Sequence, residues 1–192
     1  RKKYSSDFRS IDEINGVWDL QILSEKNVNN IELIAKDIIS LPDGVSIAIL
    51  DVQRRIVFTN IFSRKIIFDK IGGLEYEFKV VAGESGYVDQ IIKDLLKVIP
   101  KDFSLSKNYP NPFNPITNLD FSIPKRSNVT LRVFNMMGQE VVTLINEKKS
   151  YGNYSTSWNG LDSKGVNVAS GVYFAELRTK KERKITKMLL LK

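Results

Sequence analysis

The sequence contains neither cysteine nor histidine. The first absence excludes a disulfide staple and any thiolate nucleophile, so packing alone must hold the fold even in an oxidising compartment. The second excludes more chemistry. Histidine is the usual general base near neutral pH and the commonest metal ligand, so serine–histidine catalysis, cysteine–histidine catalysis and the usual zinc sites are all ruled out. Long apolar runs are also missing: no stretch approaches the ~18 residues that a bilayer span needs. The basic opening Arg1-Lys2-Lys3-Tyr4 runs into Ser-Ser-Asp-Phe with no apolar segment behind it, which does not fit a signal peptide. No catalytic residue, metal ligand or cofactor site is expected from this residue set.

What is present is a β pattern. The 192 residues are 42% apolar, enough for one large β domain or two small ones. Charge is unevenly placed. Residues 1–100 carry 14 basic and 15 acidic side chains (net −1), while residues 101–192 carry 15 and 7 (net +8). Such a shift marks a composition boundary and suggests two domains. The chain is expected to be the C-terminal part of a longer precursor.

In the first half, short runs with period-2 alternation predict strands at Val17–Leu23, Ile31–Ala35, Val45–Asp51, Arg55–Thr59, Lys65–Phe68 and Glu75–Ala82. Turn residues separate them: Asn29-Asn30, Pro42-Asp43-Gly44 and Gly72-Gly73. Six short strands at this spacing predict a β-sandwich over 1–83, with Trp18 as a core anchor. Between 84 and 102 the pattern changes. Ile91, Ile92, Leu95, Leu96 and Ile99 form a helical stripe that Pro100 would close, which predicts a short linker helix packed on a sandwich face.

The second half holds the most specific string. In Asn108-Tyr109-Pro110-Asn111-Pro112-Phe113-Asn114-Pro115, three prolines within six residues cannot lie in a central strand. A rigid lead-in loop is expected, with Tyr109 and Phe113 pinned into a core on either side. Further on, Val129, Leu131 and Val133 alternate with Thr130 and Arg132, and Tyr173, Ala175 and Leu177 share a strand face. Gly138, next to Gln139, suits a turn with positive φ, Asn159-Gly160 is a tight-turn signal, Gly165 and Gly171 suit turn or bulge positions, and Trp158 is a candidate core residue.

These segments, in this order, resemble the type A C-terminal sorting domain of type IX secretion cargo. The likeness begins at the Pro-rich string. It continues through Ile123-Pro124, Val129–Asn135, Met137-Gly138-Gln139-Glu140-Val141, Gly152-Asn153-Tyr154, Trp158-Asn159-Gly160, Asp162–Gly165 and Ala169–Phe174. It ends on Lys187-Met188-Leu189-Leu190-Leu191-Lys192. One departure is conservative: Asn159-Gly160 stands where many relatives have Asp-Gly, and both make the same turn. The segments Leu41–Asp51 and Phe78–Gly83 resemble small sandwich modules that often precede such domains.

The resemblance implies an all-β architecture of two immunoglobulin-like sandwiches: an accessory one over 1–83, a linker over 84–102 and a sorting domain over 103–192. It also implies an export address, a secreted or cell-surface destination reached through the periplasm, and no enzymatic role for this chain. The implied partners are the outer-membrane translocon and a sortase-like protease that removes the domain; the cut is expected in the linker before Phe103, because proteases need mobile, exposed chain. That protease can attach the cargo to anionic lipopolysaccharide. Recognition is expected at Gly171, Tyr173 and the last residues Lys187–Lys192, through a terminal strand whose free edge adds to a partner's sheet. Lys180, Lys181, Arg183, Lys184, Lys187 and Lys192 would give this end a positive field.

Competing readings have less behind them. The sandwich also resembles the immunoglobulin-like domain of flagellar hook-capping proteins, which would make it a structural assembly module. A carbohydrate- or protein-binding role for 1–83 would need an exposed aromatic platform, for which Phe58, Phe62 and Phe68 are the candidates. Asn159, Asp162 and Ser163 offer one carboxylate where calcium wants about six to eight oxygens, so a structural turn is expected there. The sequons at Asn128 and Asn153 fall in predicted strands. The carboxylate pairs Asp12/Glu13 and Glu75/Glu77 have no other site features around them. A pI near 9.5 alone is no argument for nucleic acid without an aromatic-interleaved basic stripe, and none is expected to bind.

Overall fold

Alternating side chains dictate strands over most of this chain, and a computed structural model shows them paired into antiparallel sheets. The structure describes residues 15–23, 30–33, 41–59, 61, 66–69 and 75–192. The chain divides into two compact units, Arg1–Lys97 and Val98–Lys192.

In the first unit, β1 (Gly16–Leu23), β3 (Val45–Asp51), β4 (Ile56–Thr59) and β6 (Glu75–Glu84) form one antiparallel sheet in the order β1-β6-β3-β4. A separate ladder pairs β2 (Asn30–Leu33) with β5 (Ile66–Asp69). The strand positions follow the period-2 reading to within one or two residues. One sheet face carries Ile49, Tyr76 and Phe78, buried together with Ile61 and Ile66, so the segment bearing β5 covers that face. Ala48, Leu50 and Val81 project from the other face and are fully buried as well.

Helix α1 (Ser85–Val98) follows β6 directly and buries Val88 and Ile92, four residues apart on one side. The Arg55 guanidinium donates to the Leu96 carbonyl at 2.5 Å, which ties the last turn of the helix to the β3–β4 turn. The described residues of this unit thus form a sheet, a two-stranded ladder and a 14-residue helix. Trp18 departs from its expected role. It is half-buried, with its ring lying over Gly16 rather than in the cluster around Phe78. Phe58 packs half-buried against that cluster, which removes it from any exposed platform. Phe62 and the side chain of Phe68 lie outside the described residues.

The second unit is a seven-stranded sandwich. One sheet has the order β10-β9-β12-β13, from Glu140–Lys149, Ser127–Asn135, Gly171–Arg178 and Arg183–Leu190. The other has the order β11-β8-β7, from Gly152–Trp158, Thr117–Ile123 and Ser104–Leu105. Leu119, Phe121, Val129, Leu131, Val133, Ala175, Leu177, Met188 and Leu190 point inward at every second position and make one core. Trp158 sits in it between Phe113 and Tyr173, with ring centroids at 5.5 and 5.0 Å in tilted and edge-on arrangements. The indole N–H donates to the Leu161 carbonyl at 2.9 Å, so the ring's polar atom is satisfied although the residue is buried. Asn128 and Asn153 lie within β9 and β11.

Leu131 is fully buried where β9 meets both β10 and β12. Leu131→Ala should lower the unfolding free energy of this unit by about 2–5 kcal/mol, through lost transfer energy plus the cavity left behind. Urea denaturation followed by Trp158 fluorescence measures it; a loss well under 1 kcal/mol would contradict the packing described.

Candidate recognition end of the C-terminal unit

The Pro-rich string folds back onto the last strand. Phe113 leads: its ring is buried against Trp158, while its backbone N–H donates to the Leu189 carbonyl at 2.9 Å and its carbonyl accepts from the Leu191 N–H at 3.0 Å. Two residues earlier the side chain of Asn111 does the same work as a strand backbone. Its Nδ2 donates to the Lys187 carbonyl at 3.2 Å, and its Oδ1 accepts from the Leu189 N–H at 3.0 Å. β13 is an edge strand, bonded on its other side to β12. Asn111 and Phe113 thus close its outer edge from Lys187 to Leu191. An amide side chain suits this because it offers one donor and one acceptor in a plane, as a peptide group does.

The rest of the string is built to hold that strap. Asn108 is buried and donates from Nδ2 to the Pro110 carbonyl (3.0 Å) and to Thr117 Oγ1 (2.9 Å), while Thr117 Oγ1 donates to the same carbonyl at 2.8 Å. Tyr109 pairs its backbone with Asn118 through bonds of 2.8 and 3.0 Å. Its ring, expected in the core, is instead 78% exposed. Of the pair, only Phe113 turns inward. Pro110, Pro112, Asn114 and Pro115 are exposed. Gly160, with φ +72°, sits where a Cβ would lie 3.4 Å from the Pro115 carbonyl and 3.5 Å from the Leu190 side chain. The turn residue, the string and the last strand therefore meet at one place.

Other sequence-selected residues separate by role. Gly138, at φ +75°, closes the β9–β10 turn. In that turn Asn135 Oδ1 accepts from the N–H groups of Met137 (2.9 Å) and Gln139 (3.0 Å), and Asn135 Nδ2 donates to the Gln139 side chain (2.9 Å). Gly165 lies in a turn around Asp162, whose Oδ1 accepts the N–H groups of Lys164 and Val166, both at 2.9 Å. Tyr173, Met188 and Leu190 are buried and Leu189 is half-buried, whereas Lys187, Leu191 and Lys192 are exposed. Gly171 lies opposite Leu190, and the Lys192 N–H donates to Ser170 Oγ at 3.0 Å, which fixes the chain end against the start of β12.

The expected positive field is partly internal. Glu176, 4% exposed, receives Arg132 at 3.3 Å on one carboxylate oxygen and the Arg183 guanidinium on the other. Arg183 is therefore committed to an ion pair, and Lys180 and Lys184 remain exposed beside it. At the expected recognition end, the Lys187 C=O, the Leu189 N–H and C=O and the Leu191 N–H are already bonded to Asn111 and Phe113. Sequence reading missed Asn111 as a strand mimic. Asparagine in a Pro-rich stretch signals a turn, and nothing local says that a strand ~75 residues away lies beside it.

Residues 107–192, just under half of the chain, match the family model described as "Secretion system C-terminal sorting domain". This segment is a type IX secretion C-terminal sorting signal. The sorting domain itself is not catalytic. Proteins that carry it are exported to the cell surface or secreted. Among the described residues no helix is long and apolar enough to cross a membrane.

No curated protein matches the chain significantly. Among solved structures it is similar to PorZ of Porphyromonas gingivalis, described as an essential bacterial surface component of the type-IX secretion system. That likeness has 15% identity and a TM-score of 0.34, and covers 59% of this chain and 14% of that one. Dimeric latent PorU of the same organism is similar at 11% identity and a TM-score of 0.38, over 92% of this chain and 18% of that one. FlgD from P. aeruginosa is similar at 18% identity and a TM-score of 0.34, over 48% of this chain and 71% of that one. Scores this low carry no conclusion about shared function.

Two predictions test the sorting domain's geometry. Asn111→Ala should speed hydrogen exchange at the Leu189 amide and cost about 1–2 kcal/mol, since two hydrogen bonds are lost at a partly solvated edge. Asn111→Asp keeps the acceptor and should keep most of that amide's protection; equal loss in both variants would contradict the strap. The second concerns Tyr173, whose hydroxyl donates to the Ala169 carbonyl at 2.7 Å. Burial pushes its pKa up from the ordinary 10.0, so the folded state holds the phenol proton longer than the unfolded state does. Stability should then fall as pH rises through about 10, toward the raised folded value. Tyr173→Phe should cost about 1 kcal/mol near neutral pH and flatten that alkaline loss, read from denaturant curves of both proteins across the window.

Proposed function

We propose that the outer-membrane translocon of type IX secretion reads this domain in its folded form, from the end where the chain terminates. The observation that carries this is the joining of the Pro-rich opening to the last strand through Asn111 and Phe113. The opening and closing motifs of the family segment are one piece of structure, so the closing residues are offered to a partner only when the domain has folded. Residues 1–83 would be an accessory module of a larger cargo, and the segment 84–102 its connection to the sorting domain.

A sortase-like protease then cuts before Phe103. Helix α1 and the buried Ile99 and Phe103 leave Lys101 and Asp102 as the exposed, irregular residues there, the kind of chain a protease can enter. The trimmed cargo is released or attached to anionic lipopolysaccharide.

Residues 101–192 fused behind a periplasm-targeted fluorescent protein should export it in a type IX-competent bacterium, and deleting Lys184–Lys192 should abolish export. Mass spectrometry of the exported reporter should place its new C-terminus at or before Asp102. Retention of a folded fusion in the periplasm would overturn the proposal. A reporter exported with the domain intact would remove the cleavage step.

A further inference from the structure

The strap excludes one mode of recognition at the C-terminus and leaves another. The outward Lys187 C=O, Leu189 N–H and C=O and Leu191 N–H are bonded, so a partner cannot add a strand over this stretch without displacing Asn111 and Phe113. What this end still offers is side chains. Asn135 stands opposite Tyr173, and Gly171 stands opposite Leu190, so the β9–β10 turn, the start of β12 and the chain terminus all lie at one end of the same sheet. The turn presents Met136 and Met137 at 74% and 79% exposure, and the terminus presents Leu191 at 48%. The Asn135 side chain and Gly138 fix the backbone of the turn, so the two thioethers are held out by design of the loop.

We infer that Met136, Met137 and Leu191, with the ammonium groups of Lys187 and Lys192, form a docking surface for an apolar patch bordered by acidic groups on an outer-membrane component of the secretion machinery. This rests on the reading that the machinery recognises the folded domain. Two adjacent exposed methionines are costly to leave in water and adapt readily to an apolar partner. The border chemistry follows from charge. Lys187 and Lys192 are exposed, and residues 101–192 carry eight more basic than acidic side chains. The nearest turn carboxylate, Glu140, is already held by Arg132 at 3.4 Å and by the Thr143 hydroxyl at 2.6 Å. A partner presenting carboxylates would be steered in, and a basic one repelled.

The test uses the full 192-residue chain behind a periplasm-targeted fluorescent reporter in a type IX-competent host. Met136→Ser with Met137→Ser, Leu191→Ser, and Lys187→Glu with Lys192→Glu should each cut the exported fraction by about tenfold, the effect of losing one strong contact. Ile185→Ser, which removes an exposed apolar residue elsewhere on the same strand, should export normally. Unchanged thermal midpoints of the purified variants separate lost docking from lost folding. Normal export of all three variants beside an exported wild type overturns the surface and leaves the recognition reading intact. A wild type that stays in the periplasm overturns both. Dimerisation of the purified chain that Met136→Ser with Met137→Ser abolishes would make a second copy the occupant and overturn the inference. So would binding of the wild type to anionic vesicles that those serines weaken.

Discussion

An edge strand leaves a row of N–H and C=O groups facing outward, and a chain whose last strand is such an edge must either pair them or expose a template for aggregation. Here the pairing comes from Asn111 and Phe113, and much of the C-terminal unit is arranged around it. Phe113 acts twice, with its backbone on β13 and its ring in the core beside Trp158. Trp158 in turn holds Tyr173 at the start of β12, and Gly160 allows Pro115 and Leu190 to approach the same point. Remove the strap and the edge opens. Remove the core aromatics and the strap has no anchor.

That arrangement gives a physical account of why a sorting signal can occupy a whole domain. The closing residues of the family segment alternate between buried Met188 and Leu190 and exposed Lys187, Leu191 and Lys192. As an unfolded peptide they would be one apolar, basic tail among many. In the sandwich, Met188 and Leu190 are withdrawn into the core and the rest are set in a fixed pattern, beside a methionine turn that lies ~50 residues away in sequence. A partner that reads this pattern distinguishes a finished cargo from an unfolded one.

Charge follows the same logic of commitment. The excess of basic residues in the second half suggested a broad positive field. Glu176 instead draws Arg132 and Arg183 to its buried carboxylate, where the two guanidiniums offset the cost of burying that charge. Exposed basic side chains stand at the hairpin tip and at the chain end.

Sequence alone determined the local elements. Period-2 alternation placed the strands of the first unit and the inward faces at Val129–Val133 and Tyr173–Leu177 in the second, the stripe Ile91–Ile99 placed the helix, and turn residues such as Pro42-Asp43-Gly44 and Gly138 placed breaks, because each of these depends on neighbours within a few residues. The ordered family segments likewise marked the sorting domain. Tertiary structure alone decided that Tyr109 faces solvent while Phe113 is buried, and that Trp18 sits at a margin. It also decided that Arg183 is paired and that Asn111 and Phe113 lie along the last part of the terminal strand's outer edge. Each of these turns on which distant segment lies alongside, and that is settled by packing and hydrogen-bond closure across the whole sandwich, which no local pattern encodes.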